Sequence, residues 1–269
     1  MSESKSTVAQ SPAKTLIAWT DLTANFWLGC CKVSAGCLNC YAETLTKNRM
    51  GLHVWGPATT TSRPAVKNVF AKLRSQRRLA RSGVPSVMGA GMPHLVFVGS
   101  LMDWAEDHPD CEALRPTIWE TIRAYPDLHF QLLTKRADRI VECLPADWGD
   151  GWPNVWLGTS IEDMRVAWRA DALRDIPAVV RFISYEPALR SLNELALTGI
   201  DWTIYGGESG SGFRPEDKQW ARDMRDRCRE SSVAFFHKQS AAVRTEMGIE
   251  LDGEIVRNYP VPRVNGHAQ

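Results

Sequence analysis

The sequence predicts an α/β fold, a partial (β/α) barrel of six to seven parallel strands. Three observations lead there. Short apolar runs rich in β-branched and aromatic residues recur every 20–35 residues from His94 onward. Amphipathic stretches of helical period separate them. Polar and charged residues follow each run directly. Strand–helix–strand repetition favours a parallel sheet with right-handed crossovers. Six or seven units are too few for a closed eight-stranded barrel and suit a partial one. A doubly wound open sheet is the rival, but the chain has neither G-x-G-x-x-G nor a P-loop.

Taken in order, residues 1–13 are polar and read as a disordered tail. Residues 16–19 read as a short strand leading into a cysteine-rich loop. Residues 66–82 form a basic helix with Val69, Leu73 and Leu79 as its apolar contacts, between Gly- and Pro-bearing loops at 51–65 and 83–93. The strands are 94–99 (HLVFVG), 129–133 (HFQLL), 154–158 (NVWLG), 179–184 (VVRFIS), 201–206 (DWTIYG) and 233–237 (VAFFH). Helices fall at 111–125, where Leu114, Ile118 and Ile122 share a face, and at 162–174 and 215–229. No low-complexity linker interrupts the run. The organisation is therefore a tail (1–13), one barrel domain (14–240) and a C-terminal extension of weak structure (241–269).

Composition narrows the function. The chain has 269 residues, 44% hydrophobic and 23% charged, which excludes a disordered chain, a collagen and a disulfide-dense miniprotein. Lys plus Arg is 32 and Asp plus Glu is 31, so no global basic field draws it to nucleic acid, although a local groove is open to it. No apolar run reaches the roughly 18–20 residues that span a bilayer, so no membrane partner is expected. The N-terminus lacks the apolar core of a signal peptide, and a cytoplasmic location is expected. There, clustered cysteines point to metal binding or catalysis more than to disulfides. Eleven Trp against five Tyr indicate a Trp-rich core or a cavity lined by Trp.

Four of the seven cysteines lie in GCCKVSAGCLNCYAE, residues 29–43. Cys111, Cys143 and Cys228 sit in helical patterns and read as ordinary buried thiols. Cys37 and Cys40 form C-x-x-C, a short loop that can turn both sulfurs to one metal, and Gly36 helps that turn by permitting φ > 0. Cys30 precedes them by six intervening residues and supplies a third ligand. A structural zinc site wants four closed ligands. No second C-x-x-C and no H-x₃₋₅-H occurs, and His53 is the nearest histidine. A thioredoxin-type motif would not need Cys30. Three cysteines suit a [4Fe–4S] cluster with one open iron, which the amino and carboxylate groups of S-adenosylmethionine (SAM) can chelate. Zinc, or no metal, stays open, and so does the role of Cys31.

Active sites of parallel α/β folds lie at the C-terminal edge of the sheet. There the runs deliver Ser100 and Asp103, then Thr134, Lys135 and Arg136, then Ser160 and Glu162. Further on come Glu186, the flexible Gly206–Gly207–Glu208 turn, and Lys238. Lys135, Arg136 and Lys238 can hold a carboxylate or phosphate. Glu186 and Glu208 can hold an ammonium or ribose hydroxyls. Glu186, Glu208 and Lys135 are the catalytic candidates. Ser100, Asp103, Thr134, Arg136, Ser160 and Glu162, with Gly206, Gly207 and Lys238, are the cofactor-binding ones. His237 reads as a buried structural histidine.

Six blocks carry a family resemblance: WTDLTANFWLGCCKVSAGCLNCYAE, HFQLLTKR, NVWLGTSIED, VRFISYEP, DWTIYGGESG and FFHKQ. Together they resemble a bacteriophage and prophage family catalogued as domain of unknown function 5131, over about residues 17–239. Its motif G-C-x-K-V-S-x-G-C-x-N-C-Y-A-E resembles that of radical SAM proteins. The resemblance implies the ligand triad Cys30, Cys37 and Cys40, with Cys31 in the variable position, and a radical SAM-like partial barrel. It also implies a partner protein associated with the three-cysteine motif. The spacing here is C-x₆-C-x₂-C, where common radical SAM proteins have C-x₃-C-x₂-C. The Gly206–Glu208 segment follows a late strand rather than an early one.

Three readings follow. The first is a radical SAM-like enzyme with a [4Fe–4S] cluster, SAM and an electron donor, acting on an unknown substrate for which nucleic acid or a nucleotide is the leading class. The second is a non-catalytic zinc or iron–sulfur protein that binds nucleic acid or a partner protein. The third is a metal-free hydrolase or transferase using the strand-end carboxylates, for which no G-x-S-x-G motif is present. The helix bearing Lys67, Lys72, Arg74, Arg77, Arg78 and Arg81 reads as a solvated face or a phosphate contact.

Overall fold

Period-two alternation sorts the strand side chains onto two faces, and both are apolar. Seven strands form one all-parallel sheet in strict sequence order: β1 (Leu22–Ala24), β2 (His94–Val98), β3 (Leu128–Thr134), β4 (Val155–Ser160), β5 (Val180–Tyr185), β6 (Trp202–Gly206) and β7 (Ala234–Gln239). The sheet curls into a half-barrel flanked by helices. The computed structural model describes residues 15–263; the predicted tail lies outside the described residues.

On the concave face, Leu95, Phe97, Trp156, Phe182, Trp202 and Phe236 pack with Trp19 into one core. Their sequence neighbours Val96, Val98, Val155, Leu157, Ile183 and Tyr185 belong to the core shared with the helices. Helix α2 (Val69–Arg81) inserts Leu73, α3 (Pro109–Ala124) inserts Ile118 and Ile122, α5 (Trp168–Arg174) inserts Leu173, and α6 (Lys218–Glu230) inserts Met224 and Cys228. A short α4 (Ile140–Cys143) completes that layer. The Trp excess serves both faces. Trp104, Trp119, Trp148 and Trp152 stack under the helices, while Trp19, Trp156 and Trp202 fill the concave side.

Four elements differ from expectation. Residues 16–19 are not a strand: Ala18 and Trp19 form a turn that drops the Trp19 ring against Phe97, centroids 4.5 Å apart, and β1 follows. Asp21 then fixes the edge by accepting the N–H of Leu95 at 2.8 Å. Helix α1 (Tyr41–Met50) rises directly out of the cysteine loop, although its surface is polar almost all round; Gly51 ends it at φ 66°. The 162–174 helix is split into a 3₁₀ turn (Met164–Val166), whose start is capped by the Asp163 carboxylate accepting the Arg165 N–H, and α5 after it. Residues 241–263 contain no helix or regular strand but pack closely. Trp202 Nε1 donates to Asn258 O at 2.9 Å, and His237 N donates to Val256 O at 2.7 Å along the β7 edge.

Candidate functional site

Inward side chains climb the half-barrel two residues at a time and change character at the top. On β4 they are Trp156, Gly158 and Ser160; on β5, Phe182 and Ser184, with Glu186 just beyond; on β7, Phe236 and Lys238. Aromatic rings close the floor and small polar residues open above them. Gly158 makes this floor: a Cβ there would lie 2.3 Å from the Phe182 ring. The result is a cavity of about 180 Å³ at the C-terminal edge, roofed by the cysteine loop.

Cys30, Cys31, Cys37 and Cys40 all line this cavity, and all are free thiols. Gly29 sets the approach, at φ +102° and with no room for a Cβ, which would meet Val54 O at 1.9 Å. Gly36 was expected to supply a positive φ; it does not, and is required instead because a Cβ would press on the Glu162 carboxyl at 2.9 Å. Arg136 Nη1 donates to Cys30 Sγ at 3.4 Å and Nη2 to Cys31 O at 2.8 Å. Ser34 Oγ lies 3.9 Å from Cys37 Sγ. Burial pushes the Cys30 thiol well up, Asp103 adds to the rise, and Arg136 opposes it. Burial likewise raises the Cys40 thiol.

Among the described residues, no group of three or more His, Cys, Asp or Glu side chains is arranged to hold a metal ion. The donor chemistry nonetheless fits a thiolate-ligated group. Three free motif thiols share one cavity wall, with a guanidinium donor on one sulfur and a hydroxyl beside another. Ligation requires the sulfurs to draw together.

The strand-end residues divide into two sets. The first grips the cysteine loop. Asp103 accepts from Arg136 Nη1 at 2.7 Å and from Thr134 Oγ1 at 2.6 Å. Glu162 accepts from Gly36 N at 3.1 Å, from Ser34, and from Arg169 Nη1 at 3.0 Å. Glu208 accepts from Asn39 Nδ2 and Arg214 Nε, both at 2.9 Å. Burial pushes the Glu208 carboxyl up, but the Arg214 and Asn39 hydrogen bonds outweigh it and hold the group below its ordinary value. Arg136 and Glu162 sit behind the wall rather than on it.

The second set faces the cavity without gripping the loop: Ser100, Lys135, Ser160, Ser184, Glu186 and Lys238, beside Asp103, Thr134 and Glu208, which do both. Lys238 is ion-paired to Glu186. Gly206 lets that pair in, since a Cβ would meet Glu186 Cδ at 2.9 Å, and Gly207 packs on the Ala241 backbone. Neither glycine lines the cavity. His237 faces away from it, stacked on Tyr205 with Nε2 3.1 Å from Gly248 O. In α2, Arg77 and Arg81 are held by Asp127; Lys72, Arg74 and Arg78 on the helix, and Lys67 just before it, are exposed.

Sequence reasoning missed Ser184, Arg169 and Arg214, and named Ser34, Asn39 and Tyr41, whose OH donates to Ser100 O at 2.8 Å, only as positions of the family motif. Ser184 was within reach, because it ends its run in the same register as Ser160. The two arginines lie only seven and six residues after Glu162 and Glu208, with no periodic pattern to mark the pairing.

A family model described as Protein of unknown function (DUF5131) matches residues 14–260, which includes most of the C-terminal segment. No curated protein and no solved structure matches the chain. Among the described residues, no helix is long and apolar enough to cross a membrane.

Proposed function

We propose that this chain, which belongs to the DUF5131 family, is an iron–sulfur enzyme of radical SAM type. One observation carries the reading: the motif cysteines Cys30, Cys37 and Cys40 roof a cavity whose other wall is the polar C-terminal edge of a parallel half-barrel. When held by those three sulfurs, a [4Fe–4S] cluster would supply the electron that breaks a carbon–sulfur bond of SAM, leaving a 5′-deoxyadenosyl radical to abstract hydrogen from substrate.

The chain's own residues do the rest. Arg136 presents a donor to the Cys30 sulfur and offsets negative charge there. Glu186 and Lys238 offer a carboxylate for an ammonium and an ammonium for a carboxylate. Trp19, Phe97 and the rings below them keep water from the floor. The cavity of about 180 Å³ is below the ~300–1,000 Å³ of pockets for drug-sized ligands. On this reading the cysteine loop swings outward for loading. A phage-type setting, a nucleotide or nucleic-acid substrate, an electron donor and a three-cysteine-motif partner protein belong to the same proposal. Exposed Lys67, Lys72 and Arg74 are the residues for phosphate contact.

A second reading is a non-catalytic zinc or iron–sulfur protein that binds nucleic acid or a partner. It is favoured by Cys31, whose placement on the cavity brings four thiols to one wall.

The test is iron, sulfide and zinc content after strictly anaerobic purification, followed by SAM cleavage under reductant. About four irons per chain, lost in Cys37→Ala, with 5′-deoxyadenosine formed, is the expected result. One zinc and no iron favours the second reading. No metal at all overturns both.

A further inference from the structure

The charged side chains that reach the cavity are paired, with one exception. Asp103 holds Arg136 at 2.7 Å, Glu208 holds Arg214, Glu186 holds Lys238, and Glu43 holds Lys32 at 2.8 Å. Lys135 lines the same cavity, and its ammonium has no ion pair and no hydrogen bond among the described residues. A cation facing a shielded cavity without a counter-ion gains by taking an anion there.

Two hydroxyls stand beside it. Thr134 and Thr159 are register partners on β3 and β4, so one step further up Lys135 comes beside Ser160, and Ser160 is itself the partner of Ser184 on β5. Ser160 is 1% and Ser184 3% exposed; both line the cavity, and neither Oγ has a hydrogen-bond partner among the described residues. Each therefore keeps a donor and acceptors for a ligand. Trp19 and Phe97 give the same space an apolar ring wall.

We propose that the cavity floor binds a small organic anion: an acid group on a single ring, its charge held by Lys135, its oxygens received by Ser160 and Ser184, and its ring against Trp19 and Phe97. The volume of about 180 Å³ suits one ring and one acid group rather than a whole dinucleotide. The acid is a carboxylate or a phosphate ester. The proposal rests on the functional reading only in taking this cavity as the working site, and it requires no metal.

The experiment is isothermal titration calorimetry on the full chain in metal-free form, with benzoate, phenyl phosphate and neutral benzamide as probes. At least one anion binds, and benzamide binds at least tenfold more weakly. Lys135→Met weakens the anion at least tenfold, and Lys135→Arg restores it. Ser184→Val, checked for folding by circular dichroism, weakens it as well. A preference for phenyl phosphate assigns a phosphate, and the reverse a carboxylate. Binding of neither anion, equal binding of benzamide, or an unchanged Lys135→Met overturns the proposal. Iron content is read separately, so loss of the cluster reading leaves this result standing, and the converse holds.

Discussion

Glu162 Oε1 accepts the backbone N–H of Gly36 at 3.1 Å, joining the cysteine loop to the end of β4 across 126 positions of sequence. The same carboxylate neutralises Arg169, whose side chain is 3% exposed. Glu162→Ala leaves that guanidinium buried without its anion, a loss of about 3–5 kcal/mol for a broken buried pair. Urea denaturation should register the drop, and the Gly36 amide should exchange faster with solvent. An unchanged Gly36 exchange rate would mean the loop is held by other contacts.

Gly158→Ala sets a methyl against the Phe182 ring, whose nearest atom lies 2.3 Å from the added Cβ. Overpacking of this kind costs about 1–3 kcal/mol. The melting temperature should fall, and Gly158→Ala combined with Phe182→Leu should regain part of the loss.

Lys238 and Glu186 have side chains only 8% and 20% exposed. Removing either leaves the other shielded and alone. A double-mutant cycle with Lys238→Met and Glu186→Gln should give a coupling of about 0.5–3 kcal/mol. Additive losses would show that the two charges act independently.

Burial lowers the His129 imidazole to about 4, and Trp156 Nε1 donates to its Nδ1 at 3.2 Å. The folded chain therefore refuses a proton that the unfolded chain takes up near about 6.5. Its contribution is whole above that pH and is lost as pH falls toward about 4. His237, also lowered by burial, adds in the same direction. Stability should fall by on the order of 1–3 kcal/mol across this window. His129→Phe should flatten the fall, and an equally steep profile in that variant would place its cause elsewhere.

The sheet was legible because its strands are buried on both faces and so write themselves as dense apolar runs. All six predicted runs from His94 onward became strands β2–β7. β1 escaped because three residues, LTA, leave no periodic trace, and its register comes from pairing with Val96–Val98. α1 escaped because its polar surface shows no stripe, although Glu43 in its first turn and Gly51 after its last are helix signals. Motif spacing placed the cysteines together. It did not show which strand-end groups grip the loop. Asp103, Glu162 and Glu208 look the same in sequence as Glu186, and only their partners Arg136, Arg169 and Arg214 tell them apart.

Because each strand pairs with its neighbour in sequence, the sheet from β2 to β7 can be assembled by a succession of short closures as the chain is made. The contacts that fix the cysteine loop run the other way. Gly36 must wait for Glu162, and Asn39 for Glu208. The entropy of closing such long spans falls due only when the later strands exist to receive them. The cysteine loop therefore cannot take its final place until residues 162 and 208 have been made, although strands β2 to β4 can already pair before then.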